Sequence, residues 1–386
     1  MADAMTLGRG RLVTWRHLMQ ILFALPSADC WPSVPMTEKI NLRKSNFKAT
    51  VFYSMATRST VPKLPQLLDR KIYKTGQTRG ADDDVIFQNR VGRNSTVLIP
   101  YGLWAQCRLT LPQSYENGFI VLISPAEYFA TQNIAAQLAA QGLALGVNAL
   151  VFYETREHWA AHNPDALHWT PATQRTNPLG GQYVARVPAT TAAENGAKIN
   201  RGFTVTAMKG AGIRVYEYAS TTTIDHCRQQ LEALFWKCRD ADAVAVANGM
   251  TAAQAAARKA ANLAKCQQHG LLDLVRLTQA RMLNSAGHTI CPLCLDELSG
   301  QGFFNRMEQA EGREVPDLTV TQLNLFHIQE LRYGVLNHRP YNLGWGHHHC
   351  NVVVKDAGIL ETLEWMRGIL DRNIAEGHLP ASNNPN

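Results

Sequence analysis

From about Lys71 to Ala219 the apolar residues come in short β-branched and aromatic runs, at 85–91, 96–100, 118–124, 149–153, 183–187 and 212–218, divided by Gly, Pro and Asn. Runs of that length bounded by turn residues predict strands. One helix is expected among them, because Ser124, Pro125 and Glu127 suit the N-cap, N1 and N3 positions of a capping box ahead of Tyr128 and Phe129. Beyond Ser220 the period changes: Cys227, Leu231, Leu234, Phe235 and Cys238 recur at helical spacing, with a stop at Gly249. Thr251 and Gln254 form a second capping box, opening an Ala-rich helix expected to reach about Gln268. A further helix is expected over 271–284, ended by Gly287, and a last one over 358–370, whose Leu360, Leu363, Trp365 and Met366 should pack on the preceding helices. The pattern predicts an α+β chain: an extension of no assigned function over 1–60, a mixed, β-rich domain over 61–220, a helical connector over 221–287 and a C-terminal domain over 288–386.

Composition changes this picture in two ways. The chain of 386 residues is 46% hydrophobic, enough for two or three domains with ordinary cores, and carries a formal net charge of +7. Between Thr37 and Arg108 thirteen basic side chains face five acids, an excess of eight that accounts for the whole imbalance and points to a polyanionic partner. No apolar run approaches the ~18 to 20 residues of a membrane span. Residues 12–28 follow Arg9 and Arg11 and faintly imitate a signal peptide, but His17 and Gln20 interrupt the apolar stretch, and Met36 and Met55 each offer an alternative start. A cytoplasmic setting is expected, since the cysteines suit a reduced compartment better than a disulfide framework.

Five of the eight cysteines are scattered, whereas Cys291, Cys294 and Cys350 lie in a His-rich region. Cys291-Pro292-Leu293-Cys294 places two thiolates at the bite of a tetrahedral zinc, and His347 and Cys350 repeat the spacing and can complete the set. Cys3His is a closed structural set with no open position for catalysis. His348 or His349 could stand in for His347, although they lie closer to Cys350 than a knuckle normally allows.

What lies between the knuckles resembles the HNH, or ββα-metal, nucleases. Phe326-His327-Ile328 is followed by Asn342-Leu343, then His347-x-x-Cys350 and Asn351. The resemblance implies a zinc-stapled ββα-metal domain in which His327 is the general base toward water, Asn342 braces the hairpin loop, and Asn351 gives an oxygen to a Mg²⁺ ion at the scissile phosphate. An imidazole suits the base because its ordinary pKa leaves it largely neutral at cellular pH. The sequence departs from the family at Phe326, where an Asp or His often supplies a second metal ligand. Glu330, His349 or Asp356 could replace it, or the ion could be held by Asn351 and substrate with more water. Lys355, four residues beyond Asn351, would share its helix face and could reach phosphate.

Such a finger has little sequence preference of its own, so the upstream residues are expected to choose the target. Lys74, Gln77, Arg79, Asn89, Arg90 and Arg93 are candidate DNA contacts, being of the types that read base edges or hold phosphates. The stretches 74–80, 88–93 and 341–346 are similar to BstXI-type restriction endonucleases. That resemblance implies a type II restriction endonuclease cutting double-stranded DNA at an interrupted palindrome, read by a homodimer and partnered by a DNA methyltransferase that protects the host. Two alternatives remain open: a homing or modification-dependent HNH enzyme, and a zinc-stabilised DNA-binding protein without catalysis, for which Phe326 is the best argument.

Overall fold

Most of the expected strands form, but side by side and parallel. Helix α1 (Gln66–Tyr73) leads into a short antiparallel pair, β1 (Gln77–Thr78) with β2 (Val91–Gly92). Then follow β3 (Val97–Pro100), α2 (Trp104–Cys107), β4 (Phe119–Ile123), α3 (Pro125–Ala130), α4 (Ile134–Ala140), β5 (Ala149–Tyr153), α5 (Arg156–Ala161), β6 (Tyr183–Val187), β7 (Ile199–Arg201) and β8 (Ile213–Arg214). They build a six-stranded sheet of order β7-β6-β5-β4-β3-β8, parallel except for β7. The computed structural model describes residues 61–78, 91–110, 113–191, 196–203, 212–307, 321–354 and 358–380, all within the compact unit Ser59–Asn386.

Parallel pairing explains why the runs are apolar throughout and do not alternate: both faces are covered. Val97, Ile99, Val121 and Ile123 pack on one side with Trp104, Leu138 and Tyr218, while Leu98, Ile120, Leu150 and Val184 pack on the other with Ala172, Leu179 and Phe203. The close approach of β8 to β3 requires a glycine, because a Cβ on Gly212 would lie 2.0 Å from the Thr96 carbonyl oxygen. The mixed α/β character was legible; the description as β-rich needs correcting. Helices α2, α4 and α5 are too short, at four to seven residues, to carry an amphipathic period in the sequence. The strand expected over 85–91 falls almost wholly outside the described residues.

The helical region follows its capping signals, but the helix expected over 271–284 is confined to Leu274–Gln279. The capping boxes at Ser124 and Thr251 are both formed. Helix α6 (Thr221–Trp236) is capped by Ser220, whose side chain accepts from the Thr223 N–H, and is followed by α7 (Ala241–Ala247), α8 (Ala252–Gln268) and α9 (Leu274–Gln279). Leu231, Leu234 and Phe235 of α6 share one core with Phe303, Phe326 and Trp345. Edge-to-face contacts link Phe235 to Phe303 and Phe303 to Trp345, and the Trp345 indole N–H donates to the Leu231 carbonyl at 2.8 Å. The connector is therefore the platform on which the C-terminal hairpin rests.

That hairpin is β9 (Leu323–His327) paired antiparallel with β10 (Leu343–His347), in the register His327 to Leu343 and Leu323 to His347. Helix α10 (His348–Val354) follows without a linker and packs on both strands, and α11 (Ile359–Ala375) comes next. Leu363 and Met366 of α11 rest on the core as expected, but Leu360 and Trp365 are 68% and 57% exposed, so only one edge of that helix is covered.

Candidate metal centre and buried histidine pair

A tight turn places Cys291 and Cys294 together: the Cys291 N–H donates to the Asp296 carbonyl, the Leu295 N–H to the Cys291 carbonyl, and Leu295 takes a positive φ of 65°. His347 ends β10 and Cys350 lies in the first turn of α10. The ligand atoms of these four residues all lie within 4.8 Å of one another, and no disulfide joins them. A tetrahedral ion at the usual Zn–S length of ~2.3 Å separates its donors by about 3.8 Å, so this set fits zinc. His347 takes part through Nδ1, which is 3.3 Å from the Cys294 sulfur. His348 is instead held to the Asn324 amide at 2.8 Å, and His349 is exposed and stacked on His347. Burial alone would raise the Cys291 thiol, but the His347 imidazole and nearby backbone hydrogen bonds bring it down to about 6, within reach of the thiolate a metal needs. One ion here would tie together the knuckle, the hairpin and the helix.

His327 stands at the opposite end of β9. Its Nε2 is 3.1 Å from Nδ1 of His338, a residue of the 328–342 loop that joins the two strands. His338 is 1% exposed and His327 half-buried, and both rings feel the charge of the buried Arg93, whose Nε donates to the Thr75 carbonyl and whose Nη1 donates to that of Glu217, each at 3.0 Å. Burial, and after it the Arg93 charge, pushes His327 down to about 3 and His338 well below the ordinary imidazole range. Both rings are neutral at cellular pH. The loop is braced from within: the Asn342 Oδ1 accepts from the Gln329 N–H at 2.7 Å, its Nδ2 donates to the carbonyls of Gln329 and Asn337 at 3.1 and 2.8 Å, and the Asn337 Nδ2 donates to the Glu330 carbonyl at 2.6 Å. The sequence offered no signal for His338, which lies eleven residues beyond His327 with no periodic relation to it.

Phe326 is fully buried and packs so closely on β10 that a Cβ on Gly346 would sit 2.6 Å from its ring. Glu330 is paired with Arg332 at 2.7 Å, His349 is exposed, and Asn351 is half-buried on α10. Alternation along β9 puts Asn324, which meets α10 through His348, on the face opposite His327. Among the described residues, Cys291, Cys294, His347 and Cys350 are the one group of three or more His, Cys, Asp or Glu donors that converge. Neither Glu330 nor His349 belongs to that group.

Of the candidate DNA contacts, Lys74 and Gln77 are half-buried beside β1, and Arg93 is buried with its guanidinium bound to carbonyls, where it cannot reach a base edge. Lys71, from the same basic stretch, is likewise turned inward: it donates to the Leu323 carbonyl at 2.6 Å, and burial followed by the Lys74 charge lowers it to about 8. Arg79, Asn89, Arg90 and Lys355 lie outside the described residues, as does Asp356. No described helix is long and apolar enough to cross a membrane.

No curated protein and no solved structure matches the chain. The family model described as BstXI restriction endonuclease matches residues 70–348, a span that runs from α1 through the sheet, the platform helices and the hairpin and takes in Cys291, Cys294, His327, His338 and His347. Sheet, platform and hairpin are thus parts of a single match covering most of the chain, and this protein belongs to the BstXI restriction endonuclease family, whose members are nucleases acting on DNA.

Proposed function

We propose that the chain is a type II restriction endonuclease that cuts double-stranded DNA at a specific site through its C-terminal hairpin and helix, an HNH finger with His327 as the general base. The observation that carries this reading is the order of parts: a strand ending in His327, a loop braced by Asn342, a returning strand and a helix that starts at His348, with a fitted zinc set joining the last two to the Cys291 knuckle. His327 contributes a neutral ring; burial and the Arg93 charge weaken it as a base, and the negative charge of a bound phosphate would raise it again. The zinc set, closed by four protein donors, would hold the finger together and supply no reacting atom. Mg²⁺ is proposed as the catalytic ion from the HNH resemblance alone.

In the same reading residues 61–220 choose the target, residues 221–287 carry the finger, two copies act on an interrupted palindrome, and a methyltransferase protects the host in a bacterial cytoplasm. The test is digestion of unmodified phage DNA with Mg²⁺ by the wild type and by His327→Ala. Discrete fragments from the first and none from the second are expected. Undiminished cutting by the variant refutes the assignment of the base. Binding without cutting by the wild type favours a zinc-stabilised DNA-binding protein, and cutting confined to modified DNA favours a modification-dependent enzyme.

A further inference from the structure

We infer that Arg276 and Arg339 hold the sugar-phosphate backbone of DNA along the seam between α9 and the 328–342 loop. The inference rests on DNA being the substrate and is independent of which residue is the base. A cleft of about 530 Å³ opens at this seam, lined by Gln279 and Arg281 at and just beyond the end of α9 and by Ile328, Gln329, Arg332 and Arg339 of the loop. Arg276 stands one turn back along α9 from Gln279, and Arg276, Gln279, Gln329 and Arg339 are all exposed.

The charges of the seam do not cancel among themselves. The two acids of the cleft, Glu330 and Glu361, are both taken up by Arg332, at 2.7 and 3.4 Å. Asp273, three residues before Arg276, caps α9 by accepting from the Arg276 backbone N–H at 3.1 Å. Arg276 and Arg339 form no ion pair with a described carboxylate. Arg281 donates from Nε to the Pro292 carbonyl at 2.7 Å and from Nη2 to that of Leu293 at 3.5 Å, which fixes its guanidinium without neutralising it and adds a third positive charge. An anion with repeated charges, flanked by amides that can donate to its oxygens, suits such a row better than a single carboxylate does.

The row is also held in place in advance. The Arg276 guanidinium lies 3.9 Å from the centre of the Tyr341 ring. Tyr341 is itself fixed three times: its N–H donates to Gln230 Oε1 at 2.8 Å, its hydroxyl donates to the Gly270 carbonyl at 2.6 Å, and the same oxygen accepts from the Asp273 N–H at 3.2 Å. Tyr341 and Arg281 take positive φ angles of 65° and 57°, a conformation that bulky side chains adopt only where their surroundings impose it. An arginine laid on a ring has already given up much of its side-chain freedom, so less is lost when it meets phosphate. The seam is tied to the hairpin as well, because Tyr341 and Asn342 lead directly into Leu343, the register partner of His327. Lys71 and Arg93 of the basic stretch hold backbone carbonyls inside the fold, whereas these arginines stay on the surface beside the finger.

The experiment uses the full-length, zinc-loaded protein with Ca²⁺ in place of Mg²⁺ and a random-sequence DNA duplex, its affinity followed by fluorescence anisotropy over a series of NaCl concentrations. Arg276→Ala and Arg339→Ala should each weaken binding and reduce the slope of log K against log salt by about 0.9, and the double variant by about twice that. Arg276→Lys and Arg339→Lys should keep the wild-type slope. Arg239→Ala, which removes an exposed arginine paired with Glu297 at 2.9 Å, should leave it unchanged. An intact slope in either alanine variant overturns the inference, including the case where weaker binding merely follows a lower melting temperature. An equal fall in Arg239→Ala makes the effect one of net charge and overturns it too. If the wild type binds no duplex, the reading of DNA as substrate fails first.

Discussion

Removing the amide of Asn342 should loosen the finger without touching any reacting atom. The side chain is 2% exposed and makes three hydrogen bonds, at 2.7, 3.1 and 2.8 Å, to the backbone of Gln329 and Asn337. Each such bond contributes about 0.5–1.5 kcal/mol net, and a buried carbonyl left without its donor costs about 1–3 kcal/mol. Gln329 is exposed and can turn to water, whereas Asn337 is buried, so the larger cost falls on its carbonyl. Asn342→Ala is therefore expected to lose about 2–4 kcal/mol. Asn342→Asp keeps the accepting oxygen but exchanges both donors for a buried anion, and should lose at least as much. The assay is equilibrium urea unfolding followed by tryptophan fluorescence, with Trp345 on β10 a reporter inside the affected hairpin. A shift below about 1 kcal/mol with wild-type slope would mean that water replaces the amide freely, and the bracing argument would be wrong.

Three further expectations follow from the structure. Metal analysis should find about one zinc per chain, and Cys294→Ser should abolish it and expose the finger to limited proteolysis; full protease resistance in the metal-free variant would count against a structural ion. Arg258 reaches the buried Glu232 carboxylate through both Nε and Nη2 at 2.6 Å, so Arg258→Ala should cost about 3–5 kcal/mol by leaving that charge unpaired, and Arg258→Lys should recover only part; a loss under about 1 kcal/mol in urea titration would refute this. His327 is depressed to about 3 in the folded protein, and His338 is lowered too, so the unfolded chain binds more protons in acid and the contribution of these rings is present above their ordinary pKa near 6.5 and declines as pH falls toward 3. Each ring adds up to about 1.4 kcal/mol per pH unit to that decline, and an identical acid profile for His338→Asn would remove the rings as its cause.

What the sequence made legible is what neighbouring residues decide among themselves. Ser124 and Glu127, Thr251 and Gln254, and the two zinc-donor pairs each work across three or four positions, and each forms as the spacing implies. Pairing direction is different in kind. A run such as Val97-Leu98-Ile99 states that both faces are buried, but which edges meet is decided by connections tens of residues long, and the connecting helices were too short to announce themselves. The basic stretch shows a second limit, since charge in a sequence carries no direction. Lys71 and Arg93 suggested a polyanion, yet in the fold they hold the carbonyls of Leu323, Thr75 and Glu217, and so bind the sheet and α1 to the hairpin.

The candidate site divides along the same line. Each pair of its Cys3His set is local, but the two pairs meet across more than fifty residues, and His327 meets His338 of the loop and lies within the field of Arg93 beside β2. Phe326 shows why a family pattern could not substitute for that information. The fully buried ring occupies the hairpin core against Gly346, so the position is committed to packing and no polar ligand could take it without leaving a cavity and an unpaired group. A substitution there would damage the finger whether or not it cuts. His327, half-buried at the end of β9, is where the proposed chemistry of this hairpin can be tested apart from that packing.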